Sequence, residues 1–183
     1  MRKALYILGI LDDNDVSWLA TIGKVQSLGA GSVIIQEGVP MDSVFILIDG
    51  QLQVYSGSVE IARMLAGEIV GEISFVDSRP PSASVKATVN SQVLAVPNAA
   101  LRDKLKKDLG FASRFYLSLA TFLADRLRVA TARLGAGDNG GGKDSPDDPD
   151  ELPAEMLENI ALASTRFDMV IKRLGTPYAG NKS

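Results

Sequence analysis

The chain has 183 residues, of which 46% are hydrophobic and 22% charged, and its formal net charge is -3. These values are typical of a globular protein, and the slight acidity argues against general electrostatic binding to nucleic acid. Cysteine and histidine are both absent. Their absence excludes disulfides, zinc fingers, iron–sulfur clusters and any catalytic mechanism that needs a thiolate or an imidazole.

Residues 4–24 are predicted to form short helices. The N-terminal apolar run, 4–11, leads into acidic residues rather than a cleavage site, and no window approaches the 18 apolar residues of a membrane span. We therefore expect neither a signal peptide nor a membrane span, and a cytoplasmic protein. The acids of 12–15 are helix-capping residues, and a helix is predicted to follow them and to end at Gly23.

Short β-branched runs follow from about Ser27 to Pro97 and predict an all-β barrel or roll. Glycines separate these runs at a spacing that suits turns: Gly38, Gly50, Gly57, Gly67 and Gly71. The Asp49-Gly50 pair predicts a hairpin, since Asp-Gly readily supplies a positive φ.

Two helices are predicted after Pro97, over 98–108 and 110–134. The longer one has apolar residues at three- and four-residue steps: Phe115, Leu119, Phe122 or Leu123, Leu127, Ala130 and Leu134. This wide stripe would cover the roll on one side and a second copy of the chain on the other. We therefore expect a homodimer formed through the long helix, 111–134.

The composition then changes sharply over 135–152, which is rich in glycine, acidic residues and proline and predicts a flexible linker. Residues 153–174 are predicted to form an amphipathic helix, before a tail over 175–183. Its apolar positions follow a heptad seam: Met156, Ile160, Ala163, Phe167, Val170 and Leu174. Two interpretations stay open, a helix that folds back on its own domain and one that binds a protein partner or a second copy.

Two segments carry a resemblance to a known family. "EGVPMDSVFILIDGQLQV" (37–54) and "GEIVGEISFVDSRPPSASVKA" (67–87) resemble the cyclic nucleotide-binding domain family of catabolite-activator regulators, kinase regulatory subunits and gated channels. The resemblance covers about 5–134. It implies a mostly β fold with flanking helices (α+β), a β-roll of the double-stranded β-helix or jelly-roll type, as domain 1–134.

The same resemblance implies a cassette that binds the phosphate of cAMP or cGMP, with no other cofactor. A short helix near 72–76 would point backbone N–H groups at the anion, and Glu72 would accept the ribose 2′-hydroxyl. The implied ligand-binding residues are Gly71, Glu72, Ile73, Ser74, Arg79, Ser82, Ala83 and Ser84. Arg126 and Arg133 are candidates to cover the base.

The chain departs from the family pattern at Pro81, where relatives have the arginine that pairs with the phosphate. Proline has neither a charge nor an N–H, so the loss should cost about 2–5 kcal/mol of binding. Arg79 is either a substitute cation or a solvated surface residue. Glu72 is either a ligand group or a cap of its own helix.

Two functions remain open. One is a stand-alone cyclic nucleotide sensor with weak or altered binding, which signals through dimerisation or a protein partner. The other is a domain that has lost nucleotide binding and serves in protein interaction or assembly. We expect no enzyme, because no catalytic constellation is present, and no nucleic-acid partner, because no basic recognition helix follows residue 134.

Overall fold

Two antiparallel four-stranded sheets form the centre of the protein, in a computed structural model that describes residues 6–135 and 154–174. The strands are β1 (Lys24–Leu28), β2 (Val33–Ile35), β3 (Ser43–Asp49), β4 (Leu52–Ser56), β5 (Val59–Met64), β6 (Ile69–Val70), β7 (Ser84–Ala87) and β8 (Ser91–Pro97). One sheet has the order β1-β8-β3-β6 and the other β2-β7-β4-β5. This arrangement confirms the predicted roll, although its first strand begins at Lys24, before the predicted start.

Helices flank the sheets in the predicted order. They are α1 (Tyr6–Ile10), α2 (Asp13–Ile22), α3 (Glu72–Asp77), α4 (Asn98–Lys107), α5 (Leu109–Gly135) and α6 (Ala154–Leu174). Gly23 caps the end of α2, and Pro97 caps the start of α4, as their positions in the sequence predicted. The fold is therefore of the predicted α+β type, a two-sheet roll with flanking helices that include one long helix, and the helices hold more of the described residues than the strands do. None of the helices in the described residues is long and apolar enough to cross a membrane.

The hydrophobic core centres on β3, which pairs with β8 on one side and with β6 on the other. Its five middle residues, from Val44 to Ile48, are all buried. A strand that is covered on both faces needs an uninterrupted apolar run rather than an alternating one. The sequence Val-Phe-Ile-Leu-Ile meets that need and explains why this segment takes a central place.

The predicted hairpin at Asp49-Gly50 is wrong. The turn exists and Gly50 has a φ of 94°, but the strands on either side of it, β3 and β4, belong to different sheets. The chain crosses between the sheets here, and a Cβ on Gly50 would lie 2.7 Å from the Cα of Ser91. The Asp-Gly dipeptide determines only the conformation of the turn, whereas the pairing of the strands depends on the whole roll.

We expect Gly50→Ala to reduce the free energy of unfolding more than Gly31→Ala does, by about 1–3 kcal/mol. Both glycines have similar positive φ values, 94° and 90°, so both substitutions place an alanine at a φ that disfavours it. The added methyl group meets Ser91 only at position 50, since nothing lies within 4 Å at position 31. Chemical denaturation of the two variants measures the difference, and equal losses would contradict the close approach of the two backbones.

The long helix α5 covers the roll with one face. Its buried residues follow helical spacing: Phe111, Phe115, Leu119 and Phe122. The sequence interpretation continued this stripe to Leu127 and Ala130, but Leu127 is 67% exposed and Ala130 is also exposed. Beyond Phe122 the next residue on the buried face is Arg126, so Leu127 and Ala130 do not cover the roll, and the side chain of Leu134 lies outside the described residues.

The N-terminal helices are tied to α5 by a buried acid. The side chain of Asp12 caps α2 and forms a capping box with Asp15, as the acidic run predicted. Asp15 is only 3% exposed and binds Arg114 of α5 through two nitrogens, at 2.6 and 3.0 Å. Trp18 adds an edge-to-face contact with Phe111, at 5.3 Å between ring centroids. These contacts fix where α5 begins relative to the roll.

The last described helix, α6, packs against α1 and α2, in keeping with the interpretation that it folds back on its own domain. Its buried side chains are Ala163, Phe167, Val170 and Ile171. Arg166 donates to the carbonyl of Gly9 at 2.8 Å and to the carboxylate of Asp13 at 2.7 Å, so it satisfies a carbonyl at the end of α1. The predicted linker over 135–152 begins at the last residue of α5, and its residues 136–152, the tail and the side chains of Met156 and Ile160 lie outside the described residues.

The predicted domain boundaries stay predictions, and a truncation tests them. We expect a chain without residues 136–183 to unfold in one cooperative transition, at lower stability than the full chain. The roll keeps its own core, but Phe167 and its neighbours no longer cover α1 and α2, and burial of each such side chain is worth about 1.5–3 kcal/mol before ordering costs. Thermal and urea denaturation measure both quantities. Loss of the cooperative transition would make α6 part of the core.

Candidate functional site

A cavity of about 320 Å³ opens between α3, the loop that follows it, and α5. Its volume lies at the lower end of the range for small-molecule sites. The apolar wall consists of Ile35, Val54, Val70, Ile73, Pro80, Pro81, Ala83 and Val85. The remaining lining residues are Gly71, Glu72, Ser74, Asp77, Arg79, Ser82 and Arg126. The structure therefore brings the predicted cassette residues, apart from Ser84, to one cavity and adds an arginine from α5.

Gly71 positions the first turn of α3. It has a φ of 86°, the left-handed region that glycine enters without strain, and it stands immediately before the helix. A Cβ at this position would lie 2.3 Å from the Cε atom of Met41. Met41 therefore occupies the space on this side of the glycine.

Glu72 is the most deeply buried ionisable group in the cavity wall, with 2% of its surface exposed. Its Oε1 atom accepts a hydrogen bond from Nη1 of Arg126 at 2.8 Å. Burial raises the pKa of the Glu72 carboxyl above its ordinary value, and the charge of Arg126 opposes that effect. The acid is held in place by an ion pair that joins α3 to α5.

Arg126 has a second, weaker contact. Its Nη2 atom lies 2.9 Å from the sulfur of Met64, and its guanidinium lies 4.9 Å from the ring centroid of Phe122. Sequence reasoning named Arg126 as a cover for the base but missed its pairing with Glu72. A signal existed: position 126 follows 115, 119 and 122 by helical steps, so a charged residue stands on the buried face of α5.

Pro81 occupies the place where the family pattern has an arginine, and it is buried. Its carbonyl accepts a hydrogen bond from the N–H of Gly38 at 2.8 Å, which anchors the loop to the turn after β2. Arg79 lies nearer the mouth, with 83% of its side chain exposed and its Nε atom 4.0 Å from Asp77. The loop is therefore well fixed at Pro81, whereas the nearest arginine points largely into solvent.

The remaining predicted residues divide by position. Ser82 is exposed and Ala83 half-buried at the edge of the cavity. Ser84 stands outside the lining, and its hydroxyl accepts a hydrogen bond from the N–H of Glu37 at 3.0 Å. Position 133 lies in α5, but the side chain of Arg133 is outside the described residues.

The far end of α3 is held by Arg102 of α4, a residue that sequence reasoning missed. Its Nη2 atom donates to the carbonyl of Phe75 at 2.7 Å, and its guanidinium lies 4.6 Å from the Phe75 ring centroid. A cation suits this position because the last carbonyls of a helix lack partners. The Phe75 ring in turn contacts Phe115 of α5 at 6.0 Å between centroids. Contacts at both ends thus fix the cassette helix to α4 and α5.

Comparison with known proteins places part of the chain in a described family. The family profile described as "Cyclic nucleotide-binding domain" matches residues 25–108. The chain is 34% identical over 83 residues, 44% of its length, to a cAMP-dependent protein kinase regulatory subunit of Aspergillus fumigatus, and covers 19% of that protein. It is 27% identical over 116 residues, 63% of its length, to the Pycsar effector protein XpPycTIR of Xanthomonas perforans, and covers 38% of it. The chain thus spans well under half of either relative.

A solved structure extends the comparison to the fold. The chain superimposes on a cyclic nucleotide-binding domain from Methylobacillus flagellatus with a TM-score of 0.65, over 78% of this chain and 85% of the other. The two sequences are 21% identical, so the similarity concerns the fold alone. Both comparisons agree with the two-sheet roll and its flanking helices.

Proposed function

The chain carries a domain of the cyclic nucleotide-binding family over residues 25–108, and from this premise we propose that it is a regulatory protein that binds a 3′,5′-cyclic nucleotide in the cavity under α5. One observation carries the proposal: a buried acid, Glu72, forms part of a cavity whose other lining includes nearly the whole predicted cassette. The similarity to a kinase regulatory subunit and a Pycsar effector supports a regulatory role for the domain.

The lining residues support specific contacts. Glu72 would accept the 2′-hydroxyl of the ribose, and the apolar wall would pack against the sugar and the base. Ser82 and Ala83 would offer backbone N–H groups to the phosphate. Pro81 offers neither a charge nor an N–H, so we propose weaker binding than a cassette with arginine at that position would have.

Isothermal titration calorimetry with cAMP and cGMP, each in separate experiments on the full chain, tests the proposal. Saturable binding of either nucleotide supports it, and loss of affinity in Glu72→Gln would assign the ribose contact. A protein that shows no heat and no competition at millimolar nucleotide would overturn the proposal. The cyclic nucleotide without the 2′-hydroxyl, 2′-deoxy-cAMP, serves as the matched ligand control for Glu72.

We propose that the output passes through a second copy of the chain, bound along the outer face of α5. This face carries Leu117, Ala120, Ala124 and Leu127 at steps of three and four residues, all exposed. Leu117 is 58% and Leu127 is 67% exposed, and the two alanines between them allow two helices to approach closely. Arg126, in the cavity wall, lies next to Leu127, so ligand contacts and dimer contacts would share one turn of helix. Light scattering with and without cyclic nucleotide measures the mass, and a monomer under both conditions would contradict this output.

A second candidate function rests on the same cavity. Arg126 already pairs with Glu72, and the buried Pro81 fills the position of the family arginine, so the site satisfies its own charges without a ligand. A domain of this kind would act in protein interaction or assembly, with α6 as the element that leaves α1 and α2 to bind a partner. The absence of binding in the titration, together with a stable partner complex that requires α6, would favour this function.

We expect Pro81→Arg to raise affinity for cyclic nucleotide by about tenfold or more, since one charge-assisted hydrogen bond is worth about 1.5–3 kcal/mol. The Pro81 carbonyl already bonds to Gly38 and should keep the loop in place. Calorimetry measures the gain, and Pro80→Arg is the matched control because it places the same charge one residue away. No measurable binding by Pro81→Arg, with the protein folded, would show that the cavity is not shaped for a cyclic phosphate.

A further inference from the structure

One of the two amino groups of the Arg126 guanidinium has only a weak hydrogen-bond acceptor in the protein. One amino group, Nη1, donates to the carboxylate of Glu72 at 2.8 Å, whereas the other, Nη2, is 2.9 Å from the thioether sulfur of Met64. A thioether is a weak acceptor, and an anionic oxygen is a much stronger one for a charged donor. The cavity wall therefore holds a cation with a donor that a ligand oxygen would engage better than the protein does.

Arg79, the other cation among the described residues of the cavity lining, is less suited to hold an anion. The side chain of Arg79 is 83% exposed, so water screens its charge and its freedom of rotation must be lost on binding. The Arg126 side chain is 29% exposed, rests on the Phe122 ring and is already ordered by Glu72. A less hydrated and preorganised guanidinium binds an anion more strongly than a solvated one does.

We propose that Arg126 replaces the arginine that the cassette lacks: Nη1 stays on Glu72 while Nη2 leaves the Met64 sulfur for a phosphate oxygen. This inference rests on the proposed function. In a 3′,5′-cyclic nucleotide the 2′-hydroxyl and the phosphate are carried by adjacent carbons of the ribose. A guanidinium bound to the carboxylate that accepts the 2′-hydroxyl therefore lies within reach of the phosphate, and it makes this cavity select an anionic nucleotide over a neutral nucleoside.

The decisive quantity is the ratio of the affinities for cAMP and adenosine, because the two ligands differ by the cyclic phosphate. Calorimetry on the full chain gives this ratio for wild type, Arg126→Gln and Arg126→Lys. We expect Arg126→Gln to lower the ratio by about tenfold to a hundredfold, the value of one charge-assisted hydrogen bond, and the ratio removes any change in the ribose contact that both ligands share. Arg126→Lys keeps a charge beside Glu72 but has no second amino group, so it should fold and still lower the ratio.

Arg128→Gln is the matched control, since Arg128 is exposed on the same helix and outside the cavity lining, and its ratio should equal that of wild type. Arg79→Gln tests the competing cation. An unchanged ratio in both Arg126 variants overturns the inference, and a fall in Arg79→Gln alone transfers the role to Arg79. Wild type that binds neither cAMP nor cGMP overturns the proposed function itself, a result distinct from binding without phosphate preference through Arg126.

Discussion

The Phe115→Ala variant is expected to lose about 3–5 kcal/mol of the free energy of unfolding, the cost of emptying a buried aromatic position. Phe115 is 2% exposed and lies where the cassette helix meets α5. Its ring contacts those of Phe75 and Phe111, with centroids 6.0 and 5.6 Å away. Removal leaves a cavity between α3 and α5 that the rigid roll cannot close. Urea denaturation followed by circular dichroism measures the loss.

Two further variants separate the contribution of the ring contacts to this stability loss from that of the buried volume. Phe115→Leu keeps most of the apolar volume but removes the ring contacts, each worth about 0.5–1.5 kcal/mol beyond burial, so its loss should be smaller. Leu109→Ala on the same helix is the control, because Leu109 is 80% exposed and its loss should stay within about 0.5 kcal/mol. Similar stability for Phe115→Ala and Leu109→Ala would contradict the packing of α5 on the roll.

Arg126→Met should lose about 3 kcal/mol at neutral pH, the lower end of the range for breaking a buried ion pair, because the Arg126 side chain keeps 29% exposure. The loss arises from Glu72, which stays buried with its charge unpaired. Methionine retains the apolar stem of the side chain over Phe122, so lost packing contributes little. Chemical denaturation measures the difference from wild type.

The stability loss of Arg126→Met should also depend on pH. Burial raises the pKa of Glu72 above 4.5, so between 4.5 and the raised pKa the folded protein holds a proton that the unfolded chain has released. This proton contributes its full stabilisation below pH 4.5, and the stabilisation is lost as the pH rises through the raised pKa of Glu72. Arg126 lowers the pKa of Glu72, so its removal raises this pKa and moves the pH range of the stability loss upward. The loss in Arg126→Met should therefore be larger at about pH 8 than at about pH 5.

Two comparison variants test whether the stability loss of Arg126→Met comes from the charge of Glu72. In the Glu72→Gln background, Arg126→Met should cost much less and should lose its dependence on pH, because no buried charge remains. Arg128→Met changes an exposed arginine of the same helix and should stay within about 0.5 kcal/mol of wild type. A loss in Arg126→Met that is equal at both pH values would mean that packing, not the charge of Glu72, explains it.

The local pattern of the sequence was sufficient for most of the fold. The capping acids before Val16, the position of Pro97 before α4 and the apolar run of β3 each act through neighbouring residues, and each was placed correctly. The Asp49-Gly50 turn marks the limit of this approach. Its positive φ is a local property, but its strands pair with partners far away in the chain. The resemblance at 67–87 likewise located the cassette, because its residues are adjacent in sequence.

The sequence by itself determined the strand-rich region and its flanking helices, since these depend on residue type and on neighbours along the chain, and the family resemblance identified the roll and the departure at Pro81. Only the tertiary structure decided which cation neutralises Glu72, because Arg126 is 54 residues away and reaches the acid through the packing of α5. The tertiary structure also decided where α6 lies, since Arg166 pairs with Asp13, which is 153 residues away in the chain. Contacts between distant segments depend on the folded arrangement of the helices and sheets, which no single stretch of sequence encodes.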